Sequence, residues 1–365
     1  TSSRVSGSEI ISSNSKTSYN GNYGLNASWT LYNGNKRLKT IQQEKLNNQM
    51  AELDVATSEN NIQESIAQVY IQILYAAESV KVNENTLQVS IAQRDRGQEL
   101  LNAGSIAKSD LAQLEAQVST DRYQLVTAQA TLEDYKLQLK QLLELDGENE
   151  MNIYLPALSD ENVLAPLPTK KDVYIRALSL RPEIEASKLN VEASELGIGI
   201  AKSSYLPTIS LSAGIGTNHT SGSDFTFGEQ VKNGWNNSIG LSVSVPIFNN
   251  RQTKSAVQKA KLQYETSMLS LLDEQKTLYK TIEGLWLDAN SAQQRYAAAN
   301  EKLKSTQISY ELISEQFNLG MKNTIELLTE KNNLLQAQQE QLQAKYMAIL
   351  NMQLLKFYQG DQLAI

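Results

Sequence analysis

The stretch GLSVSVPIFNN at residues 240–250 alternates apolar with small polar residues and then stops at a proline and two asparagines. The next residues, RQTKSAVQKAKLQYE (251–265), have helical spacing and run on without a break. The same two-part pattern stands earlier, as GLNASWTLYNG (24–34) followed by NKRLKTIQQEKLNNQ (35–49). Gly24 and Gly240 are 216 positions apart, and that one offset also pairs Leu25 with Leu241, Ser28 with Ser244, Tyr32 with Phe248, and Asn33 with Asn249. Further along it pairs Lys45 with Lys261, Ile66 with Ile282, Leu87 with Leu303, Asn102 with Asn318, and Gly104 with Gly320. An ungapped offset held over roughly 80 residues marks an internal duplication, which has to be found before a fold is assigned.

Each copy opens with a two-faced strand. Leu25, Ala27, Trp29 and Leu31 fall on one parity, with Gly24, Asn26, Ser28 and Thr30 on the other. In the second copy Ile239, Leu241, Val243, Val245 and Ile247 face one way, and Gly240, Ser242 and Ser244 the other. A further strand, PTISLSAGIGT (207–217), alternates Ile209, Leu211, Ala213 and Ile215 in the same manner. Period two means one oily face and one wet face. The counterpart of that strand falls largely before Thr1 by the 216 offset. So does the counterpart of the helix at 182–204, and we expect the full gene to encode that helix behind an export signal.

Each strand runs into a long helix. Residues 35–96 hold no Gly or Pro, and residues 250–317 hold Gly284 and no Pro. In the second copy Leu278, Ile282, Leu285, Ala289, Ala292, Tyr296, Ala299 and Leu303 succeed one another in steps of four and three, the seam of a coiled coil. The first copy keeps the register at Ile62, Ile66, Val69, Ile73, Ala76, Val80 and Leu87, with Asn83 as a polar exception. NAGSIAKSD and NLGMKNTIE then supply Gly104 and Gly320, suited to the left-handed residue that ends a helix. A second helix returns from each.

The predicted organisation is a first repeat over 1–145, with strands about 1–32, a long helix over 34–101 and a return helix over 109–145. An irregular segment over 146–180 comes next, with three of the six prolines between 146 and 168 and TKKD (169–172) opening a short helix. The second repeat covers 181–365, with a helix over 182–204, strands over 208–217 and 236–248, a long helix over 250–318 and a return helix over 324–358. The fold class is mixed: strands of a membrane β-barrel completed by other copies, plus long α-helical coiled coils, in two tandem repeats per chain.

Composition limits the function. The 365 residues carry a formal net charge of −7, against nucleic acid as a partner, and no Cys, which removes thiolate sites and disulfides. His219 is the single histidine, so neither a zinc site nor histidine-based catalysis is expected. There is no Gly-rich phosphate loop, no cofactor is expected, and the chain does not read as an enzyme. No apolar run is long enough for a transmembrane helix. The strands nonetheless need a membrane: four of them cannot close a barrel, and an open sheet with an oily face exposes both that face and its edges. Eight strands from two chains or twelve from three would close one. The lipid-facing set is Leu25, Ala27, Trp29 and Leu31, then Ile209 and Leu211, then Ile239, Leu241, Val243, Val245 and Ile247. Tyr19, Tyr23 and Trp235 share that parity at the far end, as an aromatic girdle does. The polar loop at 218–234 would lie outside the cell. Tyr32, Pro246 and Phe248 mark the strand–helix corner. Pro246 cannot donate to a ladder and suits a strand end, and by parity Tyr32 and Phe248 fall on the lumen side.

The duplicated plan, together with RPEIEASKLNVEASELGIGIAKSSYLPTISLSAG (181–214), VPIFNNRQTKSA (245–256) and FNLGMKNTIELLTEKNNLLQAQQEQLQAKY (317–346), resembles the TolC-like outer membrane efflux channel family across essentially the whole chain. The resemblance implies a homotrimer, a twelve-stranded barrel in outer membrane lipid, and a helical barrel crossing the periplasm of a Gram-negative bacterium, with 146–180 at its equator. It also implies a periplasmic adaptor protein and an inner-membrane pump, in multidrug export or type I secretion, with the chain itself a passive exit duct. A periplasmic adaptor or a structural coiled-coil protein of the envelope is the alternative; a requirement for detergent separates them. In that family a periplasmic gate lies just past the second turn glycine, with a basic residue two positions on and acids six and nine positions on. Lys322 and Glu326 stand at the first two, while Thr329 stands where the second acid is common. Asp110 and Gln113 are their counterparts in the first copy. The tips Gly104, Ser105, Gly320 and Met321 are the implied adaptor-docking positions.

Overall fold

The computed structural model describes residues 2–6, 9–13, 19–145, 153–154, 156 and 163–363. The elements are β1 (Ser2–Ser6), β2 (Glu9–Ser13), β3 (Asn20–Asn33), α1 (Lys36–Asn102), α2 (Lys108–Leu142), α3 (Lys170–Leu180), α4 (Pro182–Ser203), β4 (Thr208–Thr220), α5 (Phe227–Asn233), β5 (Asn236–Ser244), α6 (Gln252–Asn318) and α7 (Thr324–Tyr358). Helices α1 and α6 are both 67 residues long, and α2 and α7 both 35. At a rise of 1.5 Å per residue the long pair measure about 100 Å each. The chain divides into two compact units, residues 1–48 with 189–268, and residues 49–188 with 269–365, so each unit draws on both halves of the sequence.

The first unit contains an antiparallel sheet in the order β3-β4-β5, and a separate antiparallel pair β1-β2. Leu25 stands opposite Ile215, Ala27 opposite Ala213 and Trp29 opposite Leu211. On the other side of β4, Ile209 stands opposite Val243, Leu211 opposite Leu241 and Ala213 opposite Ile239. Directly opposed residues share a face, so the apolar parities of the three strands coincide in one oily surface.

The corner between strands and helices departs from simple parity in two ways. Between Thr30 and Tyr32 the register shifts by one, and Tyr32 stands opposite Ile209. Such a bulge sets two residues, Leu31 and Tyr32, against one. Tyr32 therefore joins the oily face of Ile209 rather than the opposite, lumen-side face that uninterrupted alternation predicts. Second, β5 stops at Ser244, opposite Thr208, so Val245 and Ile247 lie beyond the strand, exposed, with Pro246 and Phe248. Pro207 and Pro246 flank this last pair and neither has an N–H to extend the ladder. The long helices then start two residues later than 34 and 250. Gly34 and Asn35 are left-handed at φ 67° and 62°, and Asn250 and Arg251 at 49° and 61°. A side chain at Gly34 would also meet the Ser203 carbonyl at 2.8 Å. The Asn33 side chain accepts from the Arg37 N–H at 3.2 Å as α1 begins. Helix α4 is tied alongside by Gln43, whose Nε2 donates to the Ala193 carbonyl at 2.8 Å, and by the Ser194–Ser267 hydroxyl pair at 2.8 Å.

The loop between β4 and β5, expected to be polar, contains α5. Thr226 accepts from the Glu229 N–H, and Glu229 accepts from the Thr226 N–H at 2.9 Å, a capping box.

The second unit is built from helices. Ile71, Leu74, Ala292, Tyr296, Ala348 and Ile349 belong to one buried cluster, and Val173, Ala177, Ile184, Ile282, Ala289 and Leu355 to another. These α6 residues keep to the four–three seam, whereas Ile62, on the seam of α1, is exposed. Thr169 caps α3 by accepting from the Asp172 N–H at 3.2 Å. Arg181 is buried between α3 and α4. It donates to Glu183 at 2.8 Å and to Glu64 at 3.1 Å and stacks over Tyr358 at 4.1 Å. Burial works against its charge, but the Glu183 hydrogen bond and the neighbouring charges outweigh this and raise its pKa. Burial, with Glu64 close by, pushes Tyr358 up to about 12.

Candidate functional site: the hairpin tips

Helix α1 turns into α2, and α6 into α7, through the same backbone motif. The Gly104 N–H donates to the Leu101 carbonyl at 2.9 Å and the Ser105 N–H to the Leu100 carbonyl at 2.8 Å. At the second tip Gly320 donates to Phe317 at 2.9 Å and Met321 to Gln316 at 2.9 Å. This nested pair is the Schellman arrangement, with a left-handed residue at its end. Both glycines have φ 75°, and a Cβ on either would touch nothing within 4 Å among the described residues. The two tips are thus open to solvent in this chain, and conformation rather than space selects glycine there.

The starts of the return helices differ. Asn323 caps α7: its side chain accepts from the Glu326 N–H at 2.9 Å, and Glu326 accepts from the Asn323 N–H at 3.1 Å. Lys322 Nζ lies 2.6 Å from the other Glu326 oxygen. The Lys322 hydrogen bond, then that of Asn323, holds the Glu326 carboxyl below the usual carboxylate range. Lys322 and Glu326 are therefore brought together, while the Thr329 hydroxyl turns back to the Ile325 carbonyl at 2.8 Å. At the first tip Ala107 has no side-chain acceptor, and one half of the cap remains, the Ala107 N–H donating to Asp110 at 3.0 Å. Gln113 is exposed on the first turns of α2.

Behind the tips the two hairpins are joined. Leu114 of α2, Phe317 of α6 and Leu327 of α7 form a buried cluster with Leu100 and Tyr310 against it. Gly97 of α1 lies where a Cβ would collide with the Leu114 side chain, so α1 continues through a glycine that lets α2 pack closely. Further along lies a group that parity and motif spacing do not single out. Lys331 of α7 donates to Asp121 of α2 and to Ser90 of α1, Ser90 donates to Asp121, and Gln117 donates to the second Asp121 oxygen at 2.9 Å. The Lys331 and Asp121 side chains are 4% and 1% exposed, so the ion pair is dry. Burial lowers the Lys331 pKa, with the hydrogen bond and charge of Asp121 acting the other way. A signal for the group does exist in the sequence. Ser90, Asp121 and Lys331 each occupy a seam position in the four–three register, next after Leu87, Val118 and Leu327.

The chemistry of these groups is that of caps, ion pairs and apolar joints. Among the described residues no group of His, Asp and Glu could hold a metal ion, and no helix is long and apolar enough to cross a membrane. A three-stranded oily sheet, two long helical hairpins and turn-glycine tips define a class, and residues 1–144 and 173–360 match the profile of the outer membrane efflux protein family. The chain belongs to that family, one of channel proteins rather than enzymes. It is 24% identical over 290 residues to the outer membrane efflux protein BepC of Brucella suis, a match covering 79% of this chain and 60% of that protein. It is 24% identical over 294 residues to the outer membrane protein TolC of Escherichia coli, covering 78% and 58%. The chain thus spans about three fifths of the length of these relatives. The fold matches the crystal structure of CusC with a TM-score of 0.81 at 20% identity, over 96% of this chain and 80% of that one. It matches the CmeC outer membrane channel of Campylobacter jejuni at 0.75 and 18%, over 96% and 79%.

Proposed function

We propose that the chain is one protomer of a passive trimeric exit duct that crosses the outer membrane and reaches into the periplasm. The observation that carries this reading is the β3-β4-β5 sheet. Its apolar parities meet on one face, with Trp29, Ile239 and Leu241 more than half exposed, and among the described residues β3 and β5 each have one unpaired side. A closed barrel shared between copies satisfies the edges, and lipid satisfies the face. Three copies closing one barrel are the arrangement that membership of the family supports. A periplasmic adaptor docking at Gly104, Ser105, Gly320 and Met321, and an inner-membrane pump behind it, complete the reading. The duct makes and breaks no bond. Lys322 and Glu326 are its gate, with Asp110, Gln113 and Thr329 around them. Three Lys322–Glu326 pairs, each with no net charge, ring the constriction and brace its closed state.

The test is conductance in planar bilayers. The detergent-purified protein should form channels of small conductance. Lys322→Ala with Glu326→Ala should raise the conductance, with little change in thermal midpoint, and Lys322→Ala alone, which leaves the carboxylates unbalanced, should add a preference for cations. A protein that stays monodisperse without detergent and forms no channels would remove the duct reading. A double variant with unchanged conductance would place the constriction elsewhere.

A further inference from the structure

Helix α5 is packed on the oily face of the sheet. Thr217, opposite Tyr23 in the ladder, donates from its hydroxyl to the Val231 carbonyl of α5 at 2.9 Å. Two residues along β4 on the same face, the His219 ring meets the Phe227 ring edge-on at 5.0 Å between centroids. Tyr23 of β3 also meets Phe227, edge-on at 6.3 Å. All three contacts come from odd positions, the parity of Leu25, Ala213 and Ile215. Gln230 ties the loop down further, accepting from the Thr220 N–H at 2.9 Å and donating to the Phe225 carbonyl at 2.8 Å. Seven residues are too few for a helix to persist by itself in water. The capping box and these bonds hold α5 against the strands.

The surface this produces is aromatic and open. Tyr19, Tyr23, Phe225, Phe227 and Trp235 are each more than half exposed. Two of the five phenylalanines of the chain lie in this one loop. The polar members Glu229, Gln230 and Lys232 stand among them. Aromatic rings beside amide and charged groups partition to the boundary between hydrocarbon and water rather than to either phase. Below this cluster the same face continues as Leu25, Ile215 and Ile239, with Asn237 opposite Ile215.

We propose that α5 and its aromatic neighbours form a membrane-interface shelf, seated in the headgroup region of the lipid bilayer that surrounds the sheet, at the end of the strands away from the starts of α1 and α6. The inference rests on the exit-duct reading, because it needs the oily face to meet lipid. It goes beyond it in assigning the β4–β5 loop to the lipid surface rather than to open water above the barrel. Phe227, in contact with both His219 and Tyr23, is the anchor, and Trp235 and Phe225 flank it.

Depth-dependent quenching tests it. The whole protein is reconstituted into phosphatidylcholine vesicles whose acyl chains are brominated either near the headgroup or near the chain end. Variants share Trp286 as a constant background. One retains Trp29 (Trp235→Phe), one retains Trp235 (Trp29→Phe), and one carries Phe227→Trp with both replaced. The tryptophan introduced at 227 should lose most of its emission to the shallow bromines and little to the deep ones. Trp235, which needs no new side chain, should behave alike even if Phe227→Trp perturbs α5. Trp29 should be quenched most by deep bromines. If positions 227 and 235 respond to aqueous iodide and to neither lipid while Trp29 is quenched, the shelf is wrong and the membrane reading stands. If Trp29 is also untouched by both lipids, the membrane reading fails first.

Discussion

The two helical hairpins are equal in length and turn through the same backbone, yet they are unequal in burial. Helix α2 buries Leu111, Leu114, Val118, Asp121 and Leu139, whereas α7, of the same 35 residues, buries sixteen. The second hairpin also has the complete cap at Asn323 and the Lys322–Glu326 pair, where the first has a half cap at Ala107. The two hairpins therefore share geometry, which is set by turn glycines and helix length, while core and charge differ between them. The turn is fixed by backbone conformation at one residue. Burial depends on every residue of the helix face and on its neighbours, and so is free to diverge.

The strongest way to break this comparison is at the joint between the hairpins. Asp121→Ala should leave the Lys331 ammonium buried and unpaired, and lower stability by about 3–5 kcal/mol. Replacing both partners by apolar residues, Asp121→Leu with Lys331→Met, should recover most of that loss, since the desolvation of both charges disappears with them. Denaturation of the detergent-solubilised protein reads both. A single variant as stable as the parent would mean that the hairpins are held together elsewhere.

A smaller effect sharpens the claim that the turns are equivalent. Valine at a left-handed position costs roughly 1–2 kcal/mol, and neither tip offers contacts that could change the figure. Gly104→Val and Gly320→Val should therefore lower the thermal midpoint by similar amounts. If the tips dock an adaptor, export should fall in both while the assembly stays in the membrane. A large difference in stability between the two variants would show that one tip bears packing the other lacks.

The smallest effect separates the tips by charge. The Glu326 carboxyl has a pKa depressed in the folded state, so its contribution is complete above the ordinary glutamate value of about 4.3 and is lost as pH falls through the depressed value. Hydrogen exchange at the Asn323 amide, which donates to Glu326, should quicken across that acid window. Lys322→Met should shift the window upward, because the largest cause of the depression is removed. Exchange at that amide with no acid dependence would argue against the pair.

Much of this fold is readable from the residues. The turn glycines Gly104 and Gly320, the 216 offset and the oily parity of Leu25 and Leu241 are local or periodic signals, which do not need tertiary structure to be seen. Parity fails at Tyr32, because a bulge is one extra residue and leaves no mark in an alternation that ends there anyway. It overruns at Val245 and Ile247, which keep the pattern but lie past the last ladder pair. The loop at 218–234 hides α5, whose capping box is a legible signal but whose seat on Thr217, His219 and Tyr23 depends on pairing between distant strands. The Lys331–Asp121–Ser90 group is visible as three polar breaks in apolar seams, but nothing in the sequence says that the three breaks meet.

The left-handed pairs Gly34–Asn35 and Asn250–Arg251 have a consequence for how such a chain can vary. A strand repeats its faces every two residues and a helix turns about 100° per residue, so the joint sets a phase between two unlike rhythms. One residue inserted before the elbow would invert the oily face, and one inserted after it would rotate the whole seam beyond. Both elbows therefore act as fixed zero points for counting, at which length cannot drift, and insertions compatible with the fold are confined to segments whose phase nothing downstream has to read.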